Sequence, residues 1–180
     1  MDRDALLQDL LKMFRLYKML GEKAMAQVPS DEAFGVMLDE NSNSIAIIVQ
    51  HVAGNLRSRY RDFLTTDGEK PDRNRDGEFE VHEPVTRKGV MAMWNDGWSV
   101  ALASLTALTA DDLEKTITIR GEPFRVFEAL NRSVTHTAYH VGQIIYLARH
   151  FASANWTSLT IPKGKSAEFA QGRFNAQLKV

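Results

Sequence analysis

Cysteine is absent from the chain, which excludes disulfides, cysteine-ligated metals and a protein thiol nucleophile. Any sulfur nucleophile has to arrive with a small molecule, and the absence fits a reducing, cytoplasmic setting. No basic run exceeds a few residues and the formal net charge is −1, so the electrostatic footprint that nucleic acid requires is missing. No uninterrupted apolar stretch is long enough to span a bilayer. The opening MDRDALLQDL is acidic and amphipathic where a signal peptide is basic and then apolar. Neither nucleic acid nor membrane is therefore an expected partner. Glycine-rich phosphate loops, nucleophile elbows, internal repeats and low-complexity tracts are lacking as well.

What remains is a chain of 180 residues, 44% of them hydrophobic, which suits a single domain over 1–180 whose core needs no covalent staple. From Asp4 to Met25 apolar residues recur at Leu6, Leu10, Met13, Tyr17, Leu20 and Ala24, with a neighbouring row at Leu7, Leu11 and Phe14. That is helical spacing and predicts a first helix. A short helical turn at AFGVM follows Pro29, Ser30 and Asp31. Ser44 or Asn43 can cap a second long helix running to about Leu64, with Ile45, Ile48, Val49, Val52, Leu56, Tyr60 and Phe63 as its buried stripe. His51 borders that stripe.

The stretch Thr65 to Glu83 is rich in Gly, Pro, Asp and Asn and reads as a long ordered loop or lid. Its Arg73 and Arg75 are either solvated or a clamp for an anionic ligand group. Thr86 caps a third helix to about Leu108, carrying Met91, Trp94, Trp98, Ala101, Leu105 and Leu108. The two tryptophans fill the core or wall a ligand pocket. KTITIRG predicts a short strand, with a small hairpin made by the residues after it. A fourth helix is expected from Pro123 or Phe124 to Phe151, and a short terminal helix from Ser166.

The chemistry concentrates in NRSVTHTAYHVGQIIYLAR. His136 and His140 stand four positions apart, on one face of a helix, where two imidazoles can reach one ion. That face also carries Ala129, Gln143 and Leu147; another carries Phe127, Leu130, Val134, Ala138, Val141, Ile145 and Ala148. Both faces call for cover, one by the chain's own bundle and the other by a second subunit, and the sequence does not say which is which. If the second helix packs beside the fourth, His51 joins the pair. Three neutral imidazoles suit zinc or nickel and leave a position open for Lewis-acid activation of water or a thiol. Gln143 is placed to orient a ligating imidazole. The same spacing also serves a packed, hydrogen-bonded histidine pair. His150, roughly 15 Å further along the axis, cannot bind the same ion, and His82 belongs to the polar loop.

At these residues the chain resembles the DinB-like (DinB/YfiT-like) metalloenzyme superfamily, with His51 at the helix-two position and His136 and His140 at the HxxxH pair within THTAYHVGQ. The segments QHVAGNLRSRYRDFLTTDGEKPDRNRDGEFE and ITIRGEPFRVFEALNRSVTHTAYHVGQIIYLARH further resemble an uncharacterised subfamily of it. The resemblance implies an all-α four-helix bundle with one long crossover, a three-histidine metal site and a homodimer. It also implies a reaction class: related branches are transferases or isomerases that use a low-molecular-weight thiol, such as bacillithiol or mycothiol. Asn55, Arg59, Arg73, Arg75, Trp98 and Gln143 are the candidates to line the pocket. The function expected is a divalent-metal-dependent enzyme that activates a small thiol, S-transferase-like, or water. The alternatives are a metal- or ligand-binding stress-related bundle without turnover, and a dimerising scaffold in which the histidines are merely packed.

Overall fold

The computed structural model of the chain describes residues 2–80 and 84–169. It is mostly helical, with six helices and one small two-stranded antiparallel sheet among the described residues. His82 and the residues that would extend the terminal helix past 169 lie outside the described residues. Among the described residues no helix is long and apolar enough to cross a membrane.

Four helices are long: α1 (Arg3–Met25), α3 (Ile45–Tyr60), α4 (Arg87–Thr106) and α5 (Val126–Ala152); α2 (Glu32–Gly35) and α6 (Ser166–Phe169) are single turns. Three of the long helices start on side-chain caps, which satisfy backbone N–H groups that have no partner inside the helix. Asp2 accepts from Asp4 and Ala5, Ser44 from Ile47 and Thr86 from Gly89. At the start of α4, Arg87 reaches the end of α1 and donates to the Met25 and Val28 carbonyls, a favourable place for a cation.

Each long helix packs against two others: α3 against α4 and α5, α1 against α5 and α4. The core they enclose holds Phe14, Tyr60, Trp94 and Trp98, all buried, with Phe14 edge-on to Tyr60 and Trp98. The row of α1 that faces this core is Leu7, Leu10, Leu11 and Phe14, whereas Leu6, Met13, Tyr17 and Leu20 flank it half-buried. The approach of α4 to α3 is set by Gly97, where a Cβ would come within 2.6 Å of the Ala53 Cα.

Two boundaries differ from the periodicity. The α3 helix stops at Tyr60 because Arg61 is extended and Asp62 has φ 51°. Phe63 still turns into the core and stacks on Tyr60. The apolar rhythm thus outlasts the helix. The α5 helix begins at Val126, because Pro123 and Phe124 belong to β2 (Glu122–Arg125), paired with β1 (Thr116–Ile119) in the register Ile117↔Phe124. Arg120 and Gly121 make the tight turn between the strands, both at positive φ, 57° and 77°.

The loop after α3 is stitched along that helix. Ser58 Oγ donates to the Gly68 carbonyl and accepts from the Lys70 N–H, and Gln50 donates to the Gly77 carbonyl. Asp67 ties the loop to the hairpin by accepting from the Arg120 and Gly121 N–H groups at 2.9 and 2.8 Å. A 3-10 turn at Asp76–Phe79 then closes over α3.

Candidate metal centre

The helical repeat places His136 and His140 one turn apart on α5, and the packing of α3 on α5 brings His51 to them. One ligand nitrogen from each of the three lies within 4.8 Å of the others, so the group could hold a metal ion. The histidine-bearing face of α5 is thus covered from within the chain, by α3 and the loop that follows it. The outward strip of α5, with Tyr139, Gly142 and Tyr146, stays exposed in the single chain.

Hydrogen bonds settle which way the rings present themselves. His51 Nδ1 lies 2.9 Å from Glu78 Oε2; an ionised carboxylate only accepts, so Nδ1 carries the proton and Nε2 offers its lone pair. His140 Nδ1 donates to Gln143 Oε1 at 2.9 Å, which again leaves Nε2 bare. That His140 Nε2 is buried and has no hydrogen-bond partner. Such an orphan is costly unless something electrophilic meets it. The Nε2 atoms of His51 and His136 are 3.3 Å apart. Two nitrogens bound at about 2.0–2.1 Å to a tetrahedral ion stand roughly 3.3 Å apart. The three residues fit a divalent ion in donor type, with the tautomers of His51 and His140 and the spacing of the His51–His136 pair agreeing.

Charge agrees with that fit. Burial, reinforced by the neighbouring imidazoles and by Arg59 and Arg73, pushes His136 down to about 3. Burial also takes His140 down to about 4, against the opposing effect of its bond to Gln143. Both are neutral near pH 7, which is the form that binds metal.

Behind His51 runs a buried ionic chain. Arg73 grips Glu78 in a two-pronged pair, Nε to Oε1 at 2.7 Å and Nη2 to Oε2 at 2.8 Å. Burial alone would raise the Glu78 carboxyl, but the bonds from Arg73 and His51 outweigh it and hold it below its ordinary value. Arg73 continues to Glu69, which Arg59 and Arg120 also approach, each at 3.0 Å. Space for the Glu78 carboxylate exists only because residue 54 is glycine: a Cβ there would sit 2.2 Å from Oε1.

A cavity of about 280 Å³ opens beside the triad. Of the residues singled out in the sequence, Asn55, Arg59, Arg73, Arg75 and Gln143 line it together with the three histidines. Trp98 does not: it is wholly buried between Phe14 and Trp94, so it fills the core. Arg73 is neither solvated nor available as a clamp, since Glu78 and Glu69 occupy its donors and its side chain is 4% exposed. His150 is exposed near the end of α5. Sequence reasoning missed Glu78, Glu69, Arg120 and Arg132. Glu78 lies 27 residues from the imidazole it holds, and nothing in the spacing of DGEFE points to it.

A family model matches residues 3–165, described as a protein of unknown function, DUF1572. No curated protein and no solved structure matches the chain. The chain belongs to the DUF1572 family, a member of the DinB-like superfamily.

Proposed function

We propose that this DUF1572 protein is a divalent-metal-dependent enzyme whose ligands are His51, His136 and His140, with zinc or nickel as the ion and a small thiol as the group it activates. The observation that carries the reading is the buried, unpartnered His140 Nε2, aimed where the other two imidazoles converge. The four long helices are read as a DinB-like four-helix bundle with a long crossover, which would hold ligands from α3 and α5 at fixed separation. When bound, the ion would supply Lewis acidity that makes a thiol or water acidic near neutral pH.

The chain's own residues prepare that site. Glu78 and Gln143 fix the Nδ1–H tautomers of His51 and His140 and stop both rings from turning. Burial keeps His136 and His140 unprotonated. Among the described residues no Asp or Glu lines the cavity to act as a base toward water. A thiol starts near pKa 8.5 and water near 15.7, so the thiol needs roughly seven units less help. That ranks thiol transfer above hydrolysis. In the transfer the sulfur–carbon bond forms, the leaving group departs with its electron pair, and the thiol proton ends on solvent or on the leaving group.

The test begins with metal analysis of untagged protein, for which about one zinc or nickel per chain is expected. Metal-loaded protein is then incubated with a panel of low-molecular-weight thiols and a general electrophile, beside the His140→Ala variant. Turnover that vanishes in the variant is the expected result. Equal turnover in the two would remove His140 from the mechanism. Tightly held metal without turnover across the panel would overturn thiol transfer and keep only the metal site.

A further inference from the structure

The cavity beside the triad is strongly one-sided in charge. Arg59, Arg73, Arg75, Arg120 and Arg132 all line it, and no Asp or Glu does among the described residues, although the whole chain carries a formal charge of −1.

The five guanidinium groups differ in how far their donors are already engaged. Arg59, Arg73 and Arg120 share the two carboxylates Glu69 and Glu78, three positive charges to two negative ones, with Arg120 half exposed at the edge of the group. Arg132 has no carboxylate or hydrogen-bond partner among the described residues; its guanidinium lies over the Phe124 ring at 5.7 Å. Arg75 lies over Phe79 at 5.4 Å, and its nearest carboxylate, the solvent-exposed Asp76, stands 3.8 Å away. A cation–π contact uses none of the N–H donors as hydrogen bonds, and among the described residues neither side chain donates a hydrogen bond elsewhere. Those donors form the fork that matches a carboxylate or a phosphate.

Resting on the metal-centre reading above, we propose that the substrate is a small anion whose carboxylate or phosphate group is held by Arg132 and Arg75 while its reacting atom lies at the histidine triad. Arg120, whose Nε is taken by Glu69, adds field from the hairpin turn. Arg73 and Arg59 are internal braces. A cavity of about 280 Å³ limits the occupant to a metabolite-sized molecule, just below the usual range of ligand pockets, about 300–1,000 Å³.

The experiment is calorimetric titration of the untagged 180-residue chain, zinc-loaded and metal-free, with inorganic phosphate, with succinate and with the neutral succinamide. Wild type, R132Q, R75Q, the double variant R75Q/R132Q and the control R149Q are compared, each checked for a retained thermal transition. One phosphate or one succinate per chain is expected to bind the wild type in both metal states; which of the two binds identifies the anionic group. The double variant should bind at least about tenfold more weakly, as the loss of charge-assisted hydrogen bonds implies. R149Q should bind like wild type, and succinamide should not bind.

Wild type that binds neither anion overturns the proposal. So does a double variant that binds as tightly as wild type, or binding that requires zinc and ignores both arginines. Metal analysis of the same samples separates this outcome from the metal reading. Arginine-dependent anion binding by a protein with no affinity for zinc or nickel would sink the metal centre alone. A metal-bearing protein indifferent to anions would sink this proposal alone.

Discussion

Glu78 carries more of the site than any residue outside the triad. Its carboxylate fixes the tautomer of His51 on one side and closes the two-pronged pair with Arg73 on the other. Replacing a carboxylate that orients a metal-bound histidine typically weakens metal affinity about 10–100-fold. Glu78→Gln keeps the shape and removes the charge, so zinc affinity measured by competition with a chelator should fall within that range while all three ligands remain. Unchanged affinity in a folded E78Q protein would show that the carboxylate only neutralises Arg73. Gly54 is the silent partner here, since any side chain would push the carboxylate out of its place. None of this was readable in advance. His136 and His140 are local to one helix and their shared face follows from arithmetic, but Glu78 meets His51 from 27 positions further along the chain, beyond the end of α3.

At the scale of elements, the position of His51 depends on how α3 is seated. It is clamped on one side by α4, where the backbones of Ala53 and Gly97 nearly touch, and on the other by α5. A methyl group at Gly97 has rigid backbone in front of it, and overpacking of this kind costs about 1–3 kcal/mol. Gly97→Ala should therefore lower the unfolding free energy by that margin, seen as a lower urea midpoint with little change in slope. A midpoint equal to wild type would mean that the two helices can part without loss. The starts of α3, expected after Ser44 or Asn43, and of α4, after Thr86, were legible because caps are local signals, and the apolar period placed the start of α1 at Asp4, one residue past its Arg3. The exit from α3 and the start of α5 were not. Phe63 keeps the helical rhythm after the backbone has turned at Asp62, and Pro123, acceptable in a first helical turn, pairs in a strand instead.

At the scale of the whole molecule, folding concentrates neutral imidazoles that an unfolded chain would protonate. His136 and His140 have folded pKa values of about 3 and about 4, below the ordinary 6.5. Between those values and 6.5 the unfolded chain binds more protons than the folded one, so stability falls as the pH is lowered through that window and is flat with respect to these groups above it. Metal-free protein should accordingly show a melting temperature that declines from pH 7.5 to 5. The double variant His136→Gln, His140→Gln should show a shallower decline. Zinc should raise the melting temperature at pH 7.5, since ligands assembled by folding bind better than those of a random chain, and the rise should shrink at pH 5 as protons compete. A flat wild-type profile would contradict the buried, neutral His136 and His140, and no zinc-dependent rise would contradict a preassembled site.

Composition and periodicity by themselves determined that this is a mostly helical chain with a small hairpin, and that His136 and His140 share a face. Those properties rest on interactions within one turn of helix or across one tight turn, where sequence distance and spatial distance coincide. Only tertiary structure decided that His51 completes the group, that Trp98 belongs to the core, that Arg73 is an internal brace, and that Arg132 and Arg75 are left with open donors. Each of those outcomes depends on which charge or ring meets which across many residues of intervening chain. A side chain's polarity says that it needs a partner, and the packing of helices decides which partner it gets.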